Sequence, residues 1–101
     1  MPVGFYPSID TIQEVVSQSF GVRLKDMVSD RRALRLARPR QVAMYLADEL
    51  TLHSLPAIGR HFGGRDHTTV MHAIKVITHL CECDAAFAAR VQNVKDQIWP
   101  G

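Results

Sequence analysis

The chain has 101 residues, 47% of them hydrophobic and 22% charged, so a single folded domain with one core is expected and disorder is not. Residues 1–30 carry Arg23 and Lys25 against Asp10, Glu14, Asp26 and Asp30, a net of −2; residues 31–79 carry seven arginines and Lys75 against Asp48, Glu49 and Asp66, a net of +5; the remainder carries Arg90 and Lys95 against Glu82, Asp84 and Asp96, a net of −1. No apolar run approaches the roughly 18 residues of a membrane span, and Met1-Pro2-Val3-Gly4 lacks a signal-type start, so a cytoplasmic protein is expected.

In chain order, Ser8 is placed to cap a first helix with Ile9, Ile12, Val15, Val16 and Phe20 along one side, ended by Gly21. A helical turn is predicted from Leu24 to Val28. Residues 31–40 hold five arginines and no acid, and read as a basic arm running into a core helix that Pro39 starts from its first turn. Within that helix Val42, Ala43, Leu46, Ala47 and Leu50 form the buried stripe, with Asp48 and Glu49 outside. Ser54 caps a short helix beginning Leu55-Pro56 and continuing through Ala57, Ile58 and Phe62. Gly63-Gly64 then permit a tight reversal, and from Asp66 the apolar residues Val70, Ala73, Ile74, Ile77 and Cys81 recur at helical spacing. Asp84 caps a last helix with Phe87, Val91, Val94 and Ile98 inward. Nothing resembles a strand ladder or a repeat. The expected fold is all-α, a small bundle of about six helices, in which residues 54–81 form a helix-turn-helix.

The helix that follows Gly64 leaves His67, Thr68, Met71, His72 and Lys75 opposite its apolar stripe. Polar side chains at a first turn suit insertion into a major groove, and the positive middle of the chain favours a polyanion over a solvated basic surface with no partner. Other chemistry lacks support. Cys81 and Cys83, two apart on a helix, point to different faces and suit neither a disulfide nor zinc. His67 and His72 are five apart with no third ligand at metal spacing, so no metal is expected. No Ser-His-Asp set, carboxylate pair or activated thiol is grouped by spacing, so the chain does not read as an enzyme. The seven aromatic residues fall mostly on core stripes, against an RNA-binding sheet platform.

Three strings, Arg38-Pro39-Arg40-Gln41, Ser54-Leu55-Pro56-Ala57-Ile58-Gly59 and Phe62-Gly63-Gly64-Arg65-Asp66-His67-Thr68-Thr69-Val70-Met71-His72-Ala73, closely resemble the C-terminal DNA-binding domain of DnaA, the bacterial chromosomal replication initiator. The resemblance covers nearly the whole chain, more weakly in the first and last helices, and implies a Trp-repressor-like helix-turn-helix fold. The full-length initiator also carries an ATPase module with a Gly-x-x-x-x-Gly-Lys-Thr type of phosphate loop. No such string occurs here, so the chain is expected to act alone and without a cofactor.

By that resemblance Arg32 enters the minor groove, where an A/T-rich narrowing deepens the negative potential, and Asp66, His67 and Thr68 meet base edges in the major groove. Asp66 has a second role open to it, capping its own helix. Backbone phosphates fall to Arg31, Arg35, Arg38, Arg40, Gln41, Leu55, Pro56, Arg65, Thr69, His72 and Lys75. Asp30 and Leu34 depart from the family, where those positions are commonly basic, a change that weakens backbone binding. His61 and His79 have no implied role. The implied partner is double-stranded DNA with DnaA-box-like sites, with replication proteins as a further class, and the chain is expected to be a nucleoid-associated monomer or weak dimer. With no motor it would compete with the full-length initiator for shared boxes. Two alternatives stand beside this reading: a transcription regulator of phage or mobile-element origin using the same box, and a protein-interaction module that has lost DNA binding.

Overall fold

The computed structural model describes residues 6–29, 31 and 33–99. Six helices follow one another: α1 (Ile9–Phe20), α2 (Leu24–Met27), α3 (Leu34–Leu50), α4 (Leu55–His61), α5 (His67–Cys83) and α6 (Ala85–Ile98). Caps read from the sequence hold their places. Ser8 Oγ accepts from Thr11 N at 3.1 Å, Ser54 Oγ from Ala57 N at 3.3 Å, and Asp84 Oδ1 from Phe87 N at 3.1 Å.

The core lies where five helices present their apolar stripes and α2 adds Met27. Ile9, Ile12 and Val16 of α1, Val42, Ala43, Leu46 and Ala47 of α3, Ile58 of α4, Val70, Ala73 and Ile77 of α5, and Val91 and Val94 of α6 are all buried together with Phe62. Burying a side chain of this size contributes about 1.5–3 kcal/mol each, which is what a chain this short needs from every helix. The helix α5 packs chiefly on α3 and α4, and α1 is held between α3 and α6. Polar ties fasten the outer helices to this frame: Arg90 lies 4.0 Å above the Phe20 ring, Lys95 Nζ sits 3.0 Å from Glu49 Oε1, and Tyr6 stacks on Trp99.

One expectation about residues 31–40 needs correction. Pro39 does not start the helix; it sits inside α3, which begins five residues earlier at Leu34. The segment expected to be a free basic arm is therefore mostly the first turns of a helix. A proline there has no amide to offer the carbonyl four residues back, that of Arg35. Burial of Leu36 and the internal bonds of Arg40, described below, keep the turn helical against that loss.

The turn between α4 and α5 depends on close backbone approach. Arg65 N donates to Gly59 O at 2.9 Å, and a Cβ on Gly59 would stand 2.1 Å from Arg65 O. Gly63 has φ +77°, and a Cβ there would meet Val28 O at 2.6 Å. Glycine at these two positions lets the helix-turn-helix close against the loop that follows α2.

Candidate nucleic-acid interface

At the start of α5 the helical period divides the side chains cleanly. Val70, Ala73 and Ile77 are buried, while His67, Thr68, Thr69, Met71, His72 and Lys75 are exposed. Asp66 is the N-cap: its Oδ1 accepts from Thr68 N at 3.0 Å and lies 2.9 Å from His67 Nδ1. The bond from the Thr68 amide, with the Thr68 hydroxyl and nearby His67, holds the Asp66 carboxyl below the usual carboxylate range. Its side chain is 64% exposed, so the same carboxylate that caps the helix also faces outward at its tip. The structure thus brings Asp66, His67 and Thr68 together on one exposed turn.

The arginines follow a different rule, because each is governed by what lies next to it in space. Asp26 is buried, with a side chain 3% exposed, and three guanidinium groups converge on it from the solvent side: Arg23 at 3.0 Å, Arg31 at 3.4 Å and Arg35 at 3.6 Å. Arg23, first by its hydrogen bond, and then the charges of Arg31 and Arg35 keep the Asp26 carboxyl below the usual range despite its burial. Arg38 is exposed on α3 and donates to Gln41 Oε1 at 2.7 Å. Arg40, in contrast, is only 6% exposed. Its guanidinium donates inward to the carbonyls of Met27 (3.2 Å), Asp26, Ser29 (3.1 Å) and Arg31, and to Ser29 Oγ (3.1 Å). Arg65 Nη1 donates to the same Ser29 carbonyl at 2.8 Å and to Phe62 O. Two arginines that the resemblance assigns to phosphates therefore also clamp the α2–α3 loop against α3 and the α4–α5 turn. Arg32, the residue assigned to the minor groove, lies outside the described residues, as does Asp30.

Between the two regions a cleft of about 460 Å³ runs from α3 to α5, lined on its polar side by Arg31, Arg40, Gln41, Arg65, Thr69 and His72. It joins Arg31 and the first turns of α3 to the first turns of α5. At the other edge of the helix-turn-helix, Pro56 is exposed and Leu55 half-buried at the start of α4, beneath the Ser54 cap. Among the described residues no three His, Cys, Asp or Glu side chains are placed to share a metal ion, and no helix is long and apolar enough to cross a membrane. Cys81 and Cys83 are both free thiols.

Reading the sequence missed Asp26, which entered only as a unit of charge. The Arg23–Asp26 spacing of three on a helical turn was the one local signal available; the approach of Arg31 and Arg35 is tertiary.

Comparison with known proteins places this geometry. The profile of the family described as "Bacterial dnaA protein helix-turn-helix" matches residues 9–77. The chain is 58% identical over 91 residues to the chromosomal replication initiator protein DnaA of Gluconobacter oxydans, covering 90% of this chain and 19% of that protein. It is 53% identical over 90 residues to the corresponding protein of Rhodopseudomonas palustris, covering 89% of this chain and again 19% of the relative. It thus spans about a fifth of the length of these relatives. A crystal structure described as that of a DNA replication initiation factor superposes with a TM-score of 0.74 at 32% identity, covering 89% of this chain and 29% of that one.

Proposed function

The chain belongs to the family of the bacterial DnaA helix-turn-helix, and from that premise we propose that it binds double-stranded DNA at DnaA-box-like sites. The first turn of α5 enters the major groove, where His67, Thr68 and the outward face of Asp66 meet base edges. An ionised carboxylate accepts from cytosine N4, and a threonine methyl packs on the methyl of thymine. Arg32 takes the adjacent minor groove. The strand between the grooves crosses the cleft, with Arg31, Gln41, Thr69 and His72 beside it, and Lys75 and the start of α4 meet the flanking phosphates. The observation that carries this reading is the turn at residues 66–68, polar and exposed, joined by that cleft to Arg31 and the first turns of α3.

A polypeptide of these 101 residues contains no phosphate loop, so its effect at an origin is occupancy: it holds a box that a full-length initiator would otherwise use. Overproduction then lowers the number of origins per cell, and a rise or no change overturns the competitive role. Binding itself is tested by mobility shift on box and scrambled duplexes across a salt series. With about five phosphates neutralised, log affinity falls against log salt with a slope of roughly −4 to −5. A slope near zero, or equal affinity for both duplexes, overturns the reading. Mapping occupied sites across a genome separates origins from promoters.

A further inference from the structure

We propose that Asp26 is a positioning residue that holds the arm arginines Arg31 and Arg35 in place of a phosphate, lowering affinity for random DNA and so raising discrimination for the box. The inference rests on the DNA-binding reading above. A carboxylate oxygen and a phosphate oxygen are similar acceptors for a guanidinium, and Asp26 already offers Oδ1 to Arg31 at 3.4 Å and Oδ2 to Arg35 at 3.6 Å. Both arginine side chains are more than half exposed, at 54% and 55%, so a duplex reaches them without opening the fold. Asp26 itself is anchored. Its carbonyl accepts from the buried Arg40 and from Ser29 Oγ at 3.0 Å, the next residue, Met27, is fully buried, and Arg23 bonds the same carboxylate at 3.0 Å.

The physical consequence is a competition. On random DNA a phosphate must draw each arginine away from Asp26, and the gain of the new contact is offset by loss of the old one. On a box, the base contacts at α5 and Arg32 set the register, so the phosphates that come to rest beside Asp26 share the arginines at little cost. A flexible arginine with no internal anion would grip either duplex alike, since counterion release is indifferent to sequence.

The test is Asp26→Asn, measured by mobility shift on box and random duplexes across a salt series, with Glu14→Gln, an exposed acid on α1, as the control for net charge. Freed arginines raise random-duplex affinity by about three- to tenfold near 0.1 M salt and steepen its log–log salt slope by about 1 to 2, while the box-to-random ratio falls. Adding Arg31→Gln and Arg35→Gln to Asp26→Asn removes most of the gain, and adding Arg23→Gln, the third partner of the carboxylate, removes the rest. Affinity for both duplexes falling together with no change of slope, or a gain matched by Glu14→Gln, overturns the proposal. If Asp26→Asn does not fold by circular dichroism, the Arg31→Gln, Arg35→Gln pair in the otherwise unaltered chain decides the matter: random-duplex affinity then drops less than box affinity, and equal drops overturn it. The unaltered chain is measured first. Its failure to prefer the box sinks the DNA-binding reading, whereas a clear preference with an unresponsive Asp26→Asn sinks this proposal alone.

Discussion

The start of α5 and residues 31–40 are both rich in polar and charged side chains, yet they relate to the sequence in opposite ways. On α5 a residue's position along the helix decides whether it is buried or exposed: Val70, Ala73 and Ile77 go in, His67, Thr68 and Lys75 go out. In residues 31–40 the four described arginines look alike on paper and do three different things. Arg40 is an internal clamp, Arg31 and Arg35 are tethered to a buried acid, and Arg38 lies on the surface beside Gln41. Periodicity sorts side chains by direction, and direction suffices where the choice is core or solvent. It does not sort long cations, whose heads reach several ångströms from the helix axis to whatever acceptor the fold supplies.

The largest test of this contrast bears on the frame that places α5. Gly59→Ala puts a Cβ into the Arg65 carbonyl, so the α4–α5 turn must open, with a loss of about 4 kcal/mol or more in urea unfolding. A neutral result would mean that the close approach is not needed to seat the first turn of α5. Next comes the division among the arginines. Arg40→Ala removes the donor shared by four loop carbonyls and costs about 3 kcal/mol, since buried acceptors lose their partner. Arg38→Ala, two residues away, stays within about 0.5 kcal/mol. Equal midpoints for the two variants would erase the distinction between clamp and surface charge.

At the first turn of α5 and at Arg32 the expected signature is reversed. His67→Ala leaves the melting temperature alone and lowers box affinity by about 1–3 kcal/mol relative to scrambled duplex, and Arg32→Ala does the same from the minor-groove side. Discrimination that survives either change removes that residue from the interface. The smallest effects concern acid. Asp26 and Asp66 both ionise more readily in the folded chain than in the unfolded one. The stability they contribute is therefore fully present above the usual carboxylate range and is lost as pH falls through their lowered folded values. Asp66→Asn keeps the cap, because Asn serves there as well as Asp, so neutral stability is unchanged and only the decline toward acid becomes shallower. Asp26→Asn also flattens that decline but loses stability at neutral pH, where the arginine contacts are gone. Thermal melts from neutral pH down to the foot of the acid transition separate the two.

Much of the architecture was legible before any coordinates. Ser8, Ser54, Asp66 and Asp84 announce helix starts through short polar side chains followed by apolar periodicity, and all four do cap helices. The Gly63-Gly64 reversal and the stripes of α1, α5 and α6 were equally plain, because such signals act over one or two turns of chain. Pro39 misled because a proline is easiest to place at a helix start, and nothing nearby in the sequence shows that Leu36 is buried and Arg40 bonded upstream of the expected boundary.

The amino-acid sequence by itself determined the helices apart from the start of α3, the four side-chain caps, the apolar stripes and the string that aligns this chain with the initiator family, since each depends on neighbours within a few residues. Only the tertiary structure decided that Asp26 gathers Arg31 and Arg35 beside its local partner Arg23, and that Arg40 and Arg65 share the carbonyl of Ser29. A guanidinium bonds to whichever acceptor folding brings within about 3 Å, and that proximity is a property of packed helices, which no local pattern of residues encodes.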